Sequence, residues 1–128
     1  RSAARLVLLL PYHASVTSLM RDKLHWLGFP YRIDFKLCLL AHKSLNGRAP
    51  QYLARHCIPV NTVIGRSQLR SASSGQLVVP SIRTKTFGTR GFSFSCPSAW
   101  NKLPAELKNQ NVASSTFRTK LKTYFFKL

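Results

Sequence analysis

Twenty lysines and arginines share this chain with only three acidic side chains, Asp22, Asp34 and Glu106, a formal charge of +17 over 128 residues. Three carboxylates cannot neutralise twenty cations, so the core must close on apolar burial and the cations must lie at its surface. The apolar material is present. Hydrophobic residues make up 45% of the chain and aromatic rings 11%, more than a disordered basic tail carries, and a chain of this length closes one core.

A surface this positive concentrates polyanions, and each phosphate neutralised by Lys or Arg releases condensed counterions. Nucleic acid, RNA or DNA, is therefore the default ligand, with an affinity that falls steeply with salt. The alternatives are a basic surface without a ligand and a cationic segment lying on acidic lipid headgroups. The cations run along the whole chain instead of collecting in one membrane-facing helix, which favours nucleic acid over the membrane. No membrane span is expected. The shortage of acids also argues against two-metal phosphoryl transfer and glycoside hydrolysis, which need convergent carboxylates.

Residue 1 is Arg and the single methionine is Met20, inside a segment that reads as structured, so the chain reads as a fragment. The apolar run Leu6 to Leu10 is cut by Pro11, too short for the core of a signal peptide. Cys38, Cys57 and Cys96 are odd in number and widely spaced, which fits reduced thiols in a cytoplasmic and nuclear protein better than a secreted disulfide framework. They make a poor metal set with the histidines. No C-x-x-C occurs, His56 and Cys57 would point apart on a helix, and Cys38, although one turn from His42, lies on an apolar face. A Cys/His nucleophile lacks a third, orienting group, and the glycines at 65, 75, 88 and 91 fit no phosphate-cradling motif. No catalytic residue, metal or cofactor is implied.

Periodicity predicts a predominantly α-helical α+β fold with a small two- or three-stranded β element. Residues 1–12 read as the end of an upstream helix, 13–58 as a helical part, 59–75 as an exposed basic loop, 76–96 as short strands and 97–128 as C-terminal helices, all in one domain. Within the first part, Ala3, Ala4, Leu6, Val7 and Leu10 fall at helical spacing, as if a missing neighbour covered them. A helix over Thr17 to Leu27 should stop at Gly28. The clearest helix opens at Pro30 and runs to about Leu45, where Asn46 and Gly47 supply a left-handed cap. Its projection puts Ile33, Leu37, Cys38, Leu40, Ala41 and Leu45 on one side and Arg32, Lys36 and Lys43 on the other, a core face backed by a basic stripe. That stripe suits a phosphate backbone, and it equally suits a solvated polar face with extended lysines.

Pro50 should open a short helix to about His56 that buries Tyr52 and Leu53. Arg66 and Arg70 lie among small polar residues in the loop, a texture that suits ordering on a nucleic-acid backbone as well as a plain surface loop. Strands are expected over Gln76 to Pro80, Thr84 to Phe87 and Arg90 to Cys96, with Lys85 and Arg90 on them and Arg83 just ahead of the second; Phe92 and Phe94 alternate with Ser93 and Ser95, so both rings would share a face for packing or for base stacking. A helix after Pro97 should anchor Trp100 in the core. The last helix, capped by Ser114 or Ser115, should place Phe117, Leu121, Tyr124, Phe125 and Leu128 on one side, flanked by Arg118, Lys120, Lys122 and Lys127.

Three stretches carry a family resemblance: Lys23-Leu24-His25-Trp26-Leu27 with Tyr31-Arg32-Ile33-Asp34-Phe35-Lys36; Leu45-Asn46-Gly47-Arg48-Ala49-Pro50-Gln51-Tyr52-Leu53; and Pro97-Ser98-Ala99-Trp100-Asn101-Lys102-Leu103-Pro104. Ala3-Ala4-Arg5-Leu6-Val7, Leu69-Arg70-Ser71, Leu77-Val78-Val79-Pro80 and the Ser115, Phe117, Lys120, Leu121, Lys122 set extend it in order across nearly the whole chain. Together they resemble the C-terminal tail of the endonuclease and reverse transcriptase polyprotein of LINE-type, non-LTR retrotransposons. The chain departs from that pattern at Gly28-Phe29-Pro30, where the family has proline directly after the Trp-Leu pair, and at Thr89-Arg90-Gly91, where an acidic residue commonly precedes the arginine.

The resemblance implies a noncatalytic tail, not itself an enzyme, that grips template RNA or target DNA beside an upstream reverse transcriptase domain. The paired aspartates of the polymerase have no counterpart among Asp22 and Asp34. Arg32, Lys36, Lys43, Arg66, Arg70, Arg83, Lys85, Arg90, Arg118, Lys120 and Lys122 are the expected nucleic-acid contacts. Two other readings stay open: a scaffold docking on the polymerase, and a nonfunctional retroelement relic.

Overall fold

Gly28 and Pro30 at one end and Asn46 and Gly47 at the other bracket the longest helix of the chain. A computed structural model describes residues 1–109 and 111–128. In it this helix, α3, spans Phe29–Leu45, with Gly28 at the N-cap, Pro30 in the first turn and Gly47 in the left-handed region at φ +67°. Ahead of it lie α1 (Ser2–Val7) and α2 (Thr17–Asp22); after it come α4 (Gln51–Ala54), α5 (Phe92–Asn101) and α6 (Ser114–Lys127). Short 3₁₀ turns occupy Val60–Thr62, Arg70–Ser74, Gly88–Arg90 and Ala105–Lys108.

The core sits where α3 packs on both α5 and α6. It is built from Cys38 and Ala41 of α3, Cys96, Ala99 and Trp100 of α5, and Phe117, Leu121 and Phe125 of α6, with Leu77, Leu103 and Leu107 closing its edge. The i, i+4, i+8 spacing of Phe117, Leu121 and Phe125 gives α6 one continuous buried stripe. Trp100 is fully buried, and its indole Nε1 donates to the Gly75 carbonyl at 2.9 Å. A buried indole N–H needs such a partner.

The expected β element is absent: among the described residues there is no strand, only an isolated antiparallel bridge between Pro59 and Leu77. Val60 N–H donates to the Gln76 carbonyl and Val78 N–H to the Ile58 carbonyl, but Pro80, at the next bonding position, has no N–H to lengthen the ladder. The partner of Leu77 is instead a side chain. Asn101 accepts from Leu77 N–H and donates to its carbonyl, both at 2.8 Å, so one amide takes the place of a neighbouring strand.

Thr84 to Phe87 is a turn, held by Gly88 N–H on Thr84 Oγ1 and by Thr89 Oγ1 on the Lys85 carbonyl. The expected strand from Arg90 to Cys96 is instead the end of the Gly88–Arg90 turn, the Gly91 N-cap and the first half of α5. Phe92, Cys96, Ala99 and Trp100 fall at i, i+4, i+7 and i+8, a helical stripe that the Phe-Ser-Phe-Ser alternation disguises. Pro97 lies inside this helix and is buried; its cost of about 3 kcal/mol is outweighed by burial of large apolar side chains at about 1.5–3 kcal/mol each.

Other boundaries shift for local reasons. α2 stops at Asp22 because His25 adopts a left-handed backbone, φ +49°, while Trp26 N–H returns to the Met20 carbonyl. Gly28 therefore starts α3 and does not end α2. α4 has Pro50 at its N-cap and tightens after Ala54 into i→i−3 bonds that bury Cys57, leaving Tyr52 62% exposed. Ala113, not a serine, is the N-cap of α6, and Ser114 Oγ accepts from the Arg48 guanidinium at 3.2 Å. Ile33 and Leu128, expected on packed faces, are 48% and 57% exposed.

Candidate nucleic-acid interface

Every cation expected to meet nucleic acid is exposed: Arg32, Lys36 and Lys43 on α3; Arg66 and Arg70 in the loop before Gly75; Arg83, Lys85 and Arg90 before α5; Arg118, Lys120 and Lys122 on α6. Packing of α3 on α6 brings three of them together. Arg32, Arg118 and Lys122 line a cavity of about 390 Å³ with His25, Trp26 and Phe35. Lys120 faces elsewhere, on a cavity of about 330 Å³ that Glu106 also lines. The cations of residues 58–91 belong to turns and irregular backbone and are not part of either wall.

A larger cleft of about 550 Å³ adjoins the first cavity and shares Trp26, Leu27 and Arg32 with it. Arg21, Met20, Phe29, Tyr31 and the Phe125-Phe126 pair complete its main walls. The Arg32 guanidinium lies 5.5 Å from the Trp26 ring centroid, and its Nε donates to the Leu27 carbonyl at 2.7 Å. Lys122 Nζ lies 5.7 Å from the Phe126 ring, and the Arg21 guanidinium donates to the Phe126 carbonyl. Cations and aromatic rings thus interleave along one face.

Arg21, Trp26, Phe29 and Phe126 are absent from the sequence-derived set. Trp26 reads as one apolar residue of a longer helix, and only the turn at His25 directs it toward α3 and α6. The local signal is the close spacing of Arg21, Trp26, Phe29 and Arg32. Phe92 and Phe94, the rings expected to pack or to stack on bases, sit half-buried on α5, with Phe92 packed against the core.

The thiols serve packing. Cys57 and Cys96, distant in sequence, meet with their Sγ atoms 3.7 Å apart, joining the end of α4 to α5. The Cys96 contact draws the Cys57 thiol down to about 7 and holds Cys96 up, while burial pushes Cys38 up to about 12. Among the described residues no group of three or more His, Cys, Asp or Glu is placed to hold a metal ion. One lysine is withdrawn from the surface: Lys108 is 8% exposed, its Nζ donates to the Asn101 carbonyl at 2.9 Å, and burial lowers its pKa. No helix among the described residues is long and apolar enough to cross a membrane.

No family model matches this chain, and no curated protein or solved structure matches it.

Proposed function

We propose that this chain is a noncatalytic module that holds the phosphate backbone of RNA or DNA for an adjoining reverse transcriptase domain, as the resemblance to a LINE-type tail implies. The carrying observation is the placement of charge. The expected cations are all exposed, and Arg32, Arg118 and Lys122 come from two separate helices to one cleft whose walls carry no carboxylate. Helix packing fixes the backbone positions of these three before any ligand arrives, which leaves only their side chains to be ordered on binding.

Filter binding of RNA and duplex DNA across a salt series tests this. With six to ten phosphate contacts, affinity falls by about 10³–10⁵ between 50 and 200 mM salt. Replacing Arg32, Arg118 and Lys122 by Ala shallows the slope of log affinity against log salt by about one for each phosphate that is no longer neutralised, and Arg32, Lys36 and Lys43 provide the parallel test of the α3 stripe. Absence of retention in dilute buffer rejects the proposal.

A second reading rests on α1 and its exit, where Leu6, Val7 and Leu9 are 77%, 61% and 91% exposed. Apolar side chains so close together suit docking on the adjoining polymerase domain. On that reading RNA retention is weak at every salt concentration, and Leu6→Ser with Leu9→Ser releases the module from a reverse transcriptase domain supplied separately.

A further inference from the structure

Charge alone does not account for the cleft beneath α2 and α3. A phosphate-binding groove needs cations, yet here the rings stand open beside them. Phe29 is 77% exposed at the start of α3, and Trp26 is only half-buried on the wall shared by the two cavities. The larger cavity, about 550 Å³, falls in the range of clefts that enclose ligands, roughly 300–1,000 Å³. Arg32 is tethered through Nε to the Leu27 carbonyl while its guanidinium lies against Trp26, so cation and ring form one fixed unit.

The lining specifies the chemistry of the occupant. No carboxylate lines either cavity, and Arg21, Arg32, Arg118 and Lys122 call for negative charge at more than one point. The aromatic walls call for flat, polarisable faces. Because the two cavities adjoin through Trp26, Leu27 and Arg32, one extended ligand can pass the indole and occupy both. Single-stranded nucleic acid offers repeated phosphates with free base faces, whereas a duplex hides those faces in its own stack. A lipid offers its negative charge at one headgroup and aliphatic chains below it, not flat faces alternating with charge along one strand.

We infer that this double cleft binds single-stranded nucleic acid, with unstacked bases on Trp26 and Phe29 and the adjoining phosphates on Arg21 and Arg32. The inference rests on the proposed nucleic-acid function and assigns that function a preferred form of ligand. Stacking is sequence-tolerant, since every base has a π face, so the cleft discriminates strandedness and not sequence.

The test uses the whole chain with a fluorescein-labelled oligouridylate of about 12 nucleotides, within the usual site sizes, and a duplex carrying the same number of phosphates. Expected are tighter binding of the single strand at moderate salt, and a loss of about ten- to a hundredfold in its affinity on Trp26→Ala and on Phe29→Ala. Duplex affinity and the salt slope stay as in the parent chain, and Trp26→Phe keeps most of the single-strand affinity. Phe29 is so exposed that its truncation leaves the fold intact, which a circular dichroism melt verifies.

Equal losses for both ligands, or no loss in either variant, overturn the cleft assignment while salt-sensitive binding by the parent chain keeps the broader function standing. Parent chain that binds neither ligand in dilute buffer overturns that function itself. Phosphatidylserine vesicles that displace the oligouridylate from the parent chain, with vesicle binding abolished by Trp26→Ala, overturn the assignment in favour of a lipid surface.

Discussion

The helices α3, α5 and α6 and the segment 58–91 are held by different forces. The helices share a contiguous apolar core and satisfy their backbones internally, so the backbone position from which each of their cations extends is fixed. The segment is a strap with one bridge and short turns, fastened to the helices mainly where Trp100 and Asn101 reach Gly75 and Leu77. The cations divide along the same line. Arg32, Arg118 and Lys122 extend from packed helices, whereas Arg66, Arg70, Arg83, Lys85 and Arg90 lie on a segment with few fastenings.

The largest expected effect is at the residue that serves both regions. Trp100 is fully buried in the helical core and bonded to the strap at Gly75. Trp100→Ala should cost about 3–5 kcal/mol, read from urea unfolding followed by circular dichroism. A loss below about 1 kcal/mol, the range of ordinary surface substitutions and mild core changes, would mean that the helices do not close around this ring.

A smaller effect separates the regions. Asn101→Ala removes both hydrogen bonds to Leu77, and leaving buried backbone groups unpaired costs about 1–3 kcal/mol. The helices keep their own packing, so the change should appear first as faster proteolytic cutting near Arg66 and Arg70, with helical dichroism retained. Simultaneous loss of protease resistance and helix content would break the distinction between strap and helices.

What could be read ahead of the structure follows the same division. The boundaries of α3 are written in adjacent residues, Gly28, Pro30, Asn46 and Gly47, and the stripe of α6 in Phe117, Leu121 and Phe125. These are local signals. The strap is set by Asn101 acting on Leu77 and Trp100 on Gly75, interactions across more than twenty intervening residues that no periodicity reports. α5 is disguised because alternating Phe and Ser imitate a strand and Pro97 discourages a helix. The cations of the interface are legible from composition, but their meeting with Trp26 and Phe126 depends on α2, α3 and α6 converging.

The smallest expected effect probes the helical region from within. His42 is 1% exposed and stacks on Phe117, ring centroids 4.2 Å apart, where α3 meets α6. Its Nε2 lies 3.4 Å from Asn46 Nδ2, an amide donor, which suits the neutral ring with its proton on Nδ1. Burial, opposed by the Val112 backbone and aided by the positive charge of Arg48, pushes its pKa below the ordinary histidine value of 6.5. The fold therefore favours the neutral form, and this contribution is fully present above the unfolded pKa and lost as pH falls through the lowered folded value. Cys57, drawn down to about 7, loses its own contribution as pH falls through that value, so it acts at the upper edge of the His42 window. Below about 6.5 the further decline on acidification should come from His42. His42→Phe, which keeps a ring against Phe117 but cannot titrate, should flatten that decline in urea unfolding measured at successive pH values. An unchanged acid limb in the variant would place the sensitivity outside the α3–α6 contact.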